Sequence, residues 1–439
     1  MYCMRLPAIY LSKISRTAII TWSSWILYLV LILLAIPPVI SWVHRIIFFL
    51  YALFVFWVLY PTLQRDGPGD TDALATPRRI WISLLIFSGL FLIASRLYMF
   101  IRYGATPLGY DTGFYWQYFN LITPNGTSAG SVGATSSIAY TPWFPYYFLG
   151  LSAIPTINLL HLLHQVLLFG ALYFLARSLR PRTSLLLPTV AVTMFLFAID
   201  INQFMAFWWM FFKQSMAFPF LIFATALFLR KSWLAVPIAA FAAAIHPQSA
   251  IPFGIGFILF FIYQIGASII KKQPIDRELL YIGASGLVAG ILFIFIKSPK
   301  NLLAYLEYFN QYRGLASNAQ EWEMSNVKGL YIPFSTFRLN TIFYLPFALT
   351  GIFTMRTWLF GKSRDYRFLI LPAVLTTTII LTTFPFLYQN RTLIILGVML
   401  IVFAAYPIVV FAKKLIMDRA GKLLLLLLLF GSILFSSRV

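Results

Sequence analysis

Long apolar stretches alternate along the chain with short polar segments that are rich in arginine and lysine. A helix of roughly 20 apolar residues is long enough to cross the hydrocarbon core of a bilayer. The pattern therefore predicts about 13 transmembrane helices, of which 233–247, 341–355 and 423–437 are the shortest. All predicted spans are 18–38, 43–61, 80–101, 157–176, 184–200, 205–229, 233–247, 249–270, 279–296, 341–355, 368–386, 393–412 and 423–437.

Composition supports the same class. Apolar residues make up 61% of the chain and charged residues only 10%, and a soluble fold of this size needs far more polar surface. The fold class is therefore an all-α polytopic membrane protein whose first partner is the lipid bilayer. The single cysteine, Cys3, excludes a disulfide framework, and the four histidines are too few for a multi-histidine metal cage.

The formal net charge of +21 would suggest nucleic acid as the partner of a soluble protein. Here most basic residues fall in alternate loops between the predicted spans, which is the positive-inside pattern. We therefore expect no nucleic-acid partner and a multi-pass plasma-membrane protein with a cytoplasmic N-terminus. Two long loops, 102–156 and 297–340, then lie on the extracytoplasmic side.

Few acids or histidines fall on the predicted extracytoplasmic side, and each is a candidate because ionisable groups at membrane depth are costly. Asp111 follows the third span, Asp200 closes the fifth, and His246 ends the seventh. These three groups are the candidate catalytic residues. Plainer interpretations are also open, because Asp111 and Asp200 suit helix N-caps and His246 suits a structural hydrogen bond.

Cations on the same side are equally sparse. Arg391 lies in a very short turn, Lys213 lies in the outer part of the sixth span, and Arg96 and Arg102 flank the entry to the first long loop. A cation at this level can bind the phosphate of a lipid-linked substrate, although arginine and lysine also reach toward headgroups without a specific ligand. Arg313, in the second long loop, is a further candidate for substrate binding.

Aromatic residues surround Asp111. Tyr110, Tyr115 and Trp116 are candidates for stacking on a sugar ring, and the alternative is an aromatic belt at the membrane interface. His161 and His164 share one helix face, and with no third ligand in the pattern we expect them to serve helix packing.

Four short motifs, in this order, resemble the GT-C superfamily of integral-membrane glycosyltransferases. They are "GYDTGFY" at 109–115, "AID" at 198–200, "IHPQ" at 245–248 and "YQNR" at 388–391. The resemblance covers about residues 80–412 and is one of layout. It implies a GT-C-like catalytic module at 80–412, preceded by two extra helices and a cytoplasmic loop at 1–79 and followed by a last helix at 413–439.

The resemblance also implies an activity: an inverting transfer of a sugar from a polyprenyl-phosphate donor to a glycan, lipid or protein acceptor at the extracytoplasmic face. Asp111 would act as the base, and Asp200 is the second external acid. Arg391, with Tyr388 beside it, matches the position that holds the lipid phosphate. The first loop lacks an acidic pair, so no cofactor is required by the sequence, and Mg²⁺ or Mn²⁺ bound by Asp111 and Asp200 stays an option.

Three other functions remain open. A lipid-linked glycan polymerase or ligase takes similar donors but depends on external arginines, which are few here. A transporter or flippase of lipid-linked sugars often has repeated halves and charges near the bilayer centre, and no repeat is visible in the sequence. A non-catalytic subunit that retains only the fold is the third alternative.

Overall fold

A computed structural model describes the protein over a series of ranges. They are 52–53, 55–56, 59–60, 78–103, 122–123, 126–127, 150, 152–179, 185–208, 212–271, 277–296, 334–354, 366–383 and 389–417. The predicted spans 18–38 and 423–437 lie outside these ranges, and only part of 43–61 falls within them. The domain division at residues 79 and 412 is not tested by the described residues.

The described part is helical apart from one minimal antiparallel ladder, in which β1 (Ile122–Thr123) pairs with β2 (Gly126–Thr127). The helices are α1 (Arg78–Tyr103), α2 (Ala153–Ser178), α3 (Leu186–Ile199), α4 (Ile201–Trp208), α5 (Phe212–Leu229), α6 (Ala235–Ile245), α7 (Pro247–Lys271), α8 (Arg277–Ile296), α9 (Phe334–Phe353), α10 (Ile370–Thr383) and α11 (Gln389–Met417). A short 3₁₀ helix, Tyr366–Leu369, leads into α10.

Five of the described helices, α1, α2, α5, α7 and α11, are long and apolar enough to cross a membrane. The number becomes six if the bent pair α3 and α4 forms one span. The coarse prediction of an α-helical protein with several transmembrane helices is therefore confirmed for the described residues. The full set of predicted spans remains a prediction.

The structure differs from the predicted spans most clearly around Asp200. The sequence predicts two spans, 184–200 and 205–229, whereas the structure has three helices there, and α4 is bent by 54° from α3. The predicted boundary at Asp200 agrees with the end of α3. The separate helix α4 was not predicted, because the apolar run through 204–212 continues toward α5 and hydrophobicity alone gives no information on where one helix axis ends and another begins. At the other helices the predicted and observed ranges largely overlap.

Helix α11 lies at the centre of the bundle and packs against α3, α9 and α10, while α5 packs against α2 and α6. Two glycines allow close approach between helices. A Cβ at Gly256 of α7 would lie 2.8 Å from the backbone of Val374 in α10, and a Cβ at Gly351 of α9 would lie 3.2 Å from Pro407 of α11.

Contacts between helix termini define two ends of the bundle. At one end, Arg96 near the end of α1 reaches the carbonyl of Ala198 at the end of α3, and Gln214 at the start of α5 reaches the carbonyl of Arg391 at the start of α11. We call this the site end. At the other end, Arg230 after α5 binds Ser178 at the end of α2, and we call that end the basic end.

Candidate functional site at one end of the helix bundle

Asp200 occupies the single-residue break between α3 and α4. Its backbone N–H donates to the carbonyl of Phe197, and its carbonyl accepts the N–H of Phe204, so the residue ends one helix and caps the next. Its side chain is 3% exposed, and the backbone N–H groups of Asn202 and Gln203, in the first turn of α4, act on the carboxyl group. The N-cap interpretation of Asp200 therefore describes its local geometry.

Side chains from other positions also bind this carboxyl group. The hydroxyl of Tyr344 on α9 donates to Oδ1 at 3.2 Å, and Nδ2 of Asn202 donates to the same oxygen at 3.2 Å. Gly397 of α11 lies against the group, and a Cβ there would be 3.4 Å from Oδ2 of Asp200 and from the hydroxyl of Tyr344. Gly397 therefore packs directly against the carboxyl group of Asp200 and its hydrogen-bond partners.

A buried arginine accompanies the acid. Arg96 on α1 is 1% exposed; its Nη1 donates to Oγ of Ser95 at 2.9 Å and to the carbonyl of Ala198 at 3.4 Å. Its guanidinium lies 5.3 Å from the ring centroid of Phe204, and its positive charge acts on Asp200. Arg96 and Asp200 thus bring opposite charges into the same buried region of the bundle. We call Arg96, Asp200, Asn202 and Tyr344 the carboxylate cluster.

His246 stands between α6 and α7 as part of a second group. Its Nδ1 accepts the backbone N–H of Ser249 at 3.2 Å and lies 2.7 Å from Oγ of the same residue. Because Nδ1 accepts a hydrogen bond, the neutral ring carries its proton on Nε2. The charges of Arg391 and Lys213 both act on this ring. We call Lys213, His246 and Arg391 the cationic cluster.

The first turns of α11 join the two clusters. Gln214 donates from Nε2 to the carbonyl of Arg391 at 2.9 Å, and Gln203 donates to the carbonyl of Ile394 at 3.0 Å. Three residues further on, Gly397 meets the carboxylate cluster. At 1.5 Å of rise per residue, Arg391 and Gly397 are about 9 Å apart along the helix axis. Both clusters therefore belong to one polar region at the site end.

The two histidines with a predicted packing role, His161 and His164, make aromatic contacts. His161 and His164 are buried and pack against aromatic rings: His161 stacks on Phe207 at 4.7 Å, and His164 lies 4.9 Å from Phe212. Nε2 of His161 also hydrogen-bonds the carbonyl of Phe207 at 3.0 Å. These contacts agree with the expected packing role.

Several predicted residues lie outside the described ranges, and their proposed roles stay predictions. They are Tyr110, Asp111, Tyr115, Trp116, Arg313 and Tyr388. The distance between Asp111 and Asp200, on which a shared metal ion would depend, is therefore not part of the described geometry. Within the described ranges, no three histidine, cysteine or acidic side chains are grouped as metal ligands.

Sequence reasoning missed the neutral members of the polar region. Tyr344, Asn202, Gln203 and Gln214 carry no charge, so the cost of charge in a membrane did not single them out. A usable signal exists for the two glutamines and Asn202, because each interrupts an apolar run. An amide buried in such a run needs a hydrogen-bond partner, and carbonyls of a neighbouring helix are the nearest supply.

Fold and site together define a class: a helical multi-pass membrane protein with a buried acid at a helix break and clustered cations nearby. Comparison with known proteins finds no family model that matches the chain and no significant match among curated proteins.

Proposed function

We propose that this protein is a membrane glycosyltransferase of the GT-C type, which takes its sugar from a polyprenyl-phosphate donor. The observation that carries the proposal is the cationic cluster at the site end. Lys213 precedes Gln214, whose Nε2 donates to the carbonyl of Arg391 at 2.9 Å, so two cations from different helices lie in the same region. The charges of both act on His246. Two cations in one polar region can bind the ionised oxygens of a phosphate, and a lipid-linked phosphate reaches the site through the bilayer.

The chemistry follows from the leaving group. In the proposed reaction the bond between the anomeric carbon and the phosphate oxygen breaks, and the electron pair leaves with the phosphate. Arg391 and Lys213 stabilise the charge that develops there. The acceptor hydroxyl forms the new bond from the opposite face, which inverts the anomeric centre. Its proton passes to Asp111, the proposed base.

The carboxylate cluster has a supporting role in this proposal. Asp200 already accepts hydrogen bonds from Tyr344 and Asn202. Gln203, the next residue of α4, donates a hydrogen bond to the carbonyl of Ile394 near the start of α11. Asp200 thereby orients α4 and the helix that carries Arg391. The proposed reaction needs no metal. Whether Asp111 and Asp200 bind Mg²⁺ or Mn²⁺ is tested by assaying sugar transfer with and without a chelator.

The proposed setting is the plasma membrane, with a cytoplasmic N-terminus and the site end facing outward. The polyprenyl chain of the donor would lie among the apolar helices, and the acceptor would arrive from the extracytoplasmic side. This orientation rests on the distribution of arginine and lysine between the spans.

Donor binding is the direct test. We expect Arg391→Ala to weaken the binding of a short-chain polyprenyl phosphate by about 10- to 100-fold, because a hydrogen bond to a charged group is worth roughly 1.5–3 kcal/mol. Affinity is measured by titrating the lipid into the full-length protein in nanodiscs of neutral lipid. The same preparations are then assayed for sugar transfer, with and without a chelator.

Arg79→Ala is the matched control. Arg79 is exposed at the first turn of α1, so the substitution removes the same charge at a position away from the site. Unchanged affinity in Arg391→Ala would contradict the phosphate site at this position. Normal melting of both variants separates a loss of binding from a loss of fold.

One observation favours a second candidate, a transporter or flippase of lipid-linked sugars. Helices α3 and α4 form a broken pair with a buried acid at the break, and discontinuous helices of this kind are common in secondary transporters. Proteoliposomes separate the two functions. A transferase forms a glycosylated acceptor, whereas a transporter moves the intact lipid-linked sugar between leaflets and forms no new product.

A further inference from the structure

The basic end of the bundle contains a turn with an unusual backbone. Helix α5 ends there in a Schellman motif, in which Ser232 N–H donates to the carbonyl of Leu227 at 3.0 Å and Lys231 N–H donates to that of Phe228 at 2.9 Å. Lys231 has φ of +58°, and it is the one non-glycine residue with positive φ in the described ranges. Glycine is the residue that this position favours.

A lysine at this position costs backbone energy, so its side chain calls for an explanation. Lys231 pairs with Glu278 at the start of α8, with 2.9 Å between Nζ and Oε2. That ion pair is partly exposed, and exposed pairs contribute little to stability. The pair alone therefore does not account for lysine in place of glycine.

Two arginines are fixed beside this turn. Arg230 donates from Nε to Oγ of Ser178 at 2.9 Å, and its guanidinium lies 3.8 Å from the ring centroid of Phe174. Arg367 donates from Nη1 to the carbonyl of Leu229 at 2.7 Å. Three cations from two parts of the chain are thus held around the end of α5, and Glu278 lies beside one of them, Lys231.

The surface next to these cations is apolar and exposed. Trp233 follows the turn directly, and 70% of its surface is exposed. Tryptophan is typical of the interface between headgroups and hydrocarbon, where its ring is partly apolar and its N–H is polar. The turn therefore combines a headgroup-level aromatic anchor with a group of cations.

We propose that the segment Arg230–Trp233, together with Arg367, is a binding surface for the phosphate headgroup of an anionic phospholipid. The leaflet is the one that contacts the basic end, and on the predicted topology it is cytoplasmic. Basic groups at a membrane surface attract anionic lipids, while Trp233 contacts the acyl boundary. This surface is independent of the proposed transferase site, which lies at the opposite end of the bundle.

Lys231→Gly separates lipid binding from folding. The full-length protein in neutral detergent is titrated with dioctanoyl phosphatidylglycerol, and the apparent affinity is taken from the rise in melting temperature. Without lipid, we expect the variant to melt at or above the wild-type temperature, because glycine adopts positive φ at no steric cost. With lipid, we expect its affinity to fall about fivefold, the contribution of one surface charge.

Lys231→Arg should keep the wild-type affinity, and so should Arg102→Ala, which removes an exposed cation at the site end. Dioctanoyl phosphatidylcholine should bind more weakly than phosphatidylglycerol. The proposal is overturned if Lys231→Gly binds phosphatidylglycerol as well as the wild type. It is also overturned if free glycerol 3-phosphate stabilises the protein at the same concentrations, since the ligand would then be a soluble phosphate.

Discussion

Tyr344 and Asp200 show how a single hydrogen bond ties two distant parts of the chain together. The hydroxyl on α9 donates to a carboxyl group at the break between α3 and α4. Sequence analysis singled out Asp200 because an acid beside apolar spans is costly. It did not single out Tyr344, because a tyrosine in an aromatic-rich span looks like any other packing residue. Charge is visible in a sequence, whereas the partner that satisfies it depends on tertiary packing.

Tyr344→Phe is the residue-scale prediction. The change removes one donor from a buried carboxyl group and keeps the ring, so we expect a loss of about 1–3 kcal/mol in the free energy of unfolding. Reversible unfolding in detergent measures the loss. Tyr98→Phe serves as the control, because Tyr98 is exposed on α1 and its variant should be near neutral. Equal losses in both variants would count against the bond.

Helix boundaries illustrate what the element scale adds. The prediction of 393–412 for the last described helix omitted its first turn, which begins at Gln389 and is polar. That turn carries Arg391 and accepts the bond from Gln214. Hydropathy locates the apolar middle of a span well, because burial in lipid depends on each segment separately. It does not detect a polar turn that continues the same helix, nor the bend at Asp200.

Two glycines on α7 provide the element-scale prediction. A Cβ at Gly256 would lie 2.8 Å from Val374, whereas a Cβ at Gly254 meets nothing within 4 Å. We expect Gly256→Ala to destabilise the protein by about 1–3 kcal/mol, because α7 and α10 must separate. Gly254→Ala should stabilise by up to about 1 kcal/mol through helix propensity. The melting temperatures of the two variants test this prediction. A shift of the same sign in both variants would contradict the close contact between α7 and α10 at Gly256.

The whole molecule has two ends of different chemistry. One end contains Lys213, His246 and Arg391. The other end contains Arg230, Lys231 and Arg367. The alternation of basic segments in the sequence predicted that these two sets belong to opposite sides. It gave no information on which helices pack together, because pairings such as α3 with α11 depend on side-chain shape across the whole bundle.

Cysteine labelling tests the orientation of the whole molecule. Ser152 is exposed at the start of α2, at the site end, and Ser232 lies in the turn at the basic end. In a Cys3→Ser background, we expect an impermeant maleimide to label Ser152→Cys in intact cells. We expect Ser232→Cys to be labelled only after permeabilisation. Labelling of Ser232→Cys from outside would reverse the predicted topology, and the proposed extracytoplasmic site with it.

Arg96 has a consequence for how the first described helix settles in the membrane. Most of α1 faces outward, with Leu90 63% exposed, yet this one guanidinium is 1% exposed and points toward α3. Turning α1 about its own axis by half a revolution would move the guanidinium into hydrocarbon, at a cost of several kcal/mol. Burial of the Arg96 guanidinium therefore favours one rotational setting of α1 against the bundle.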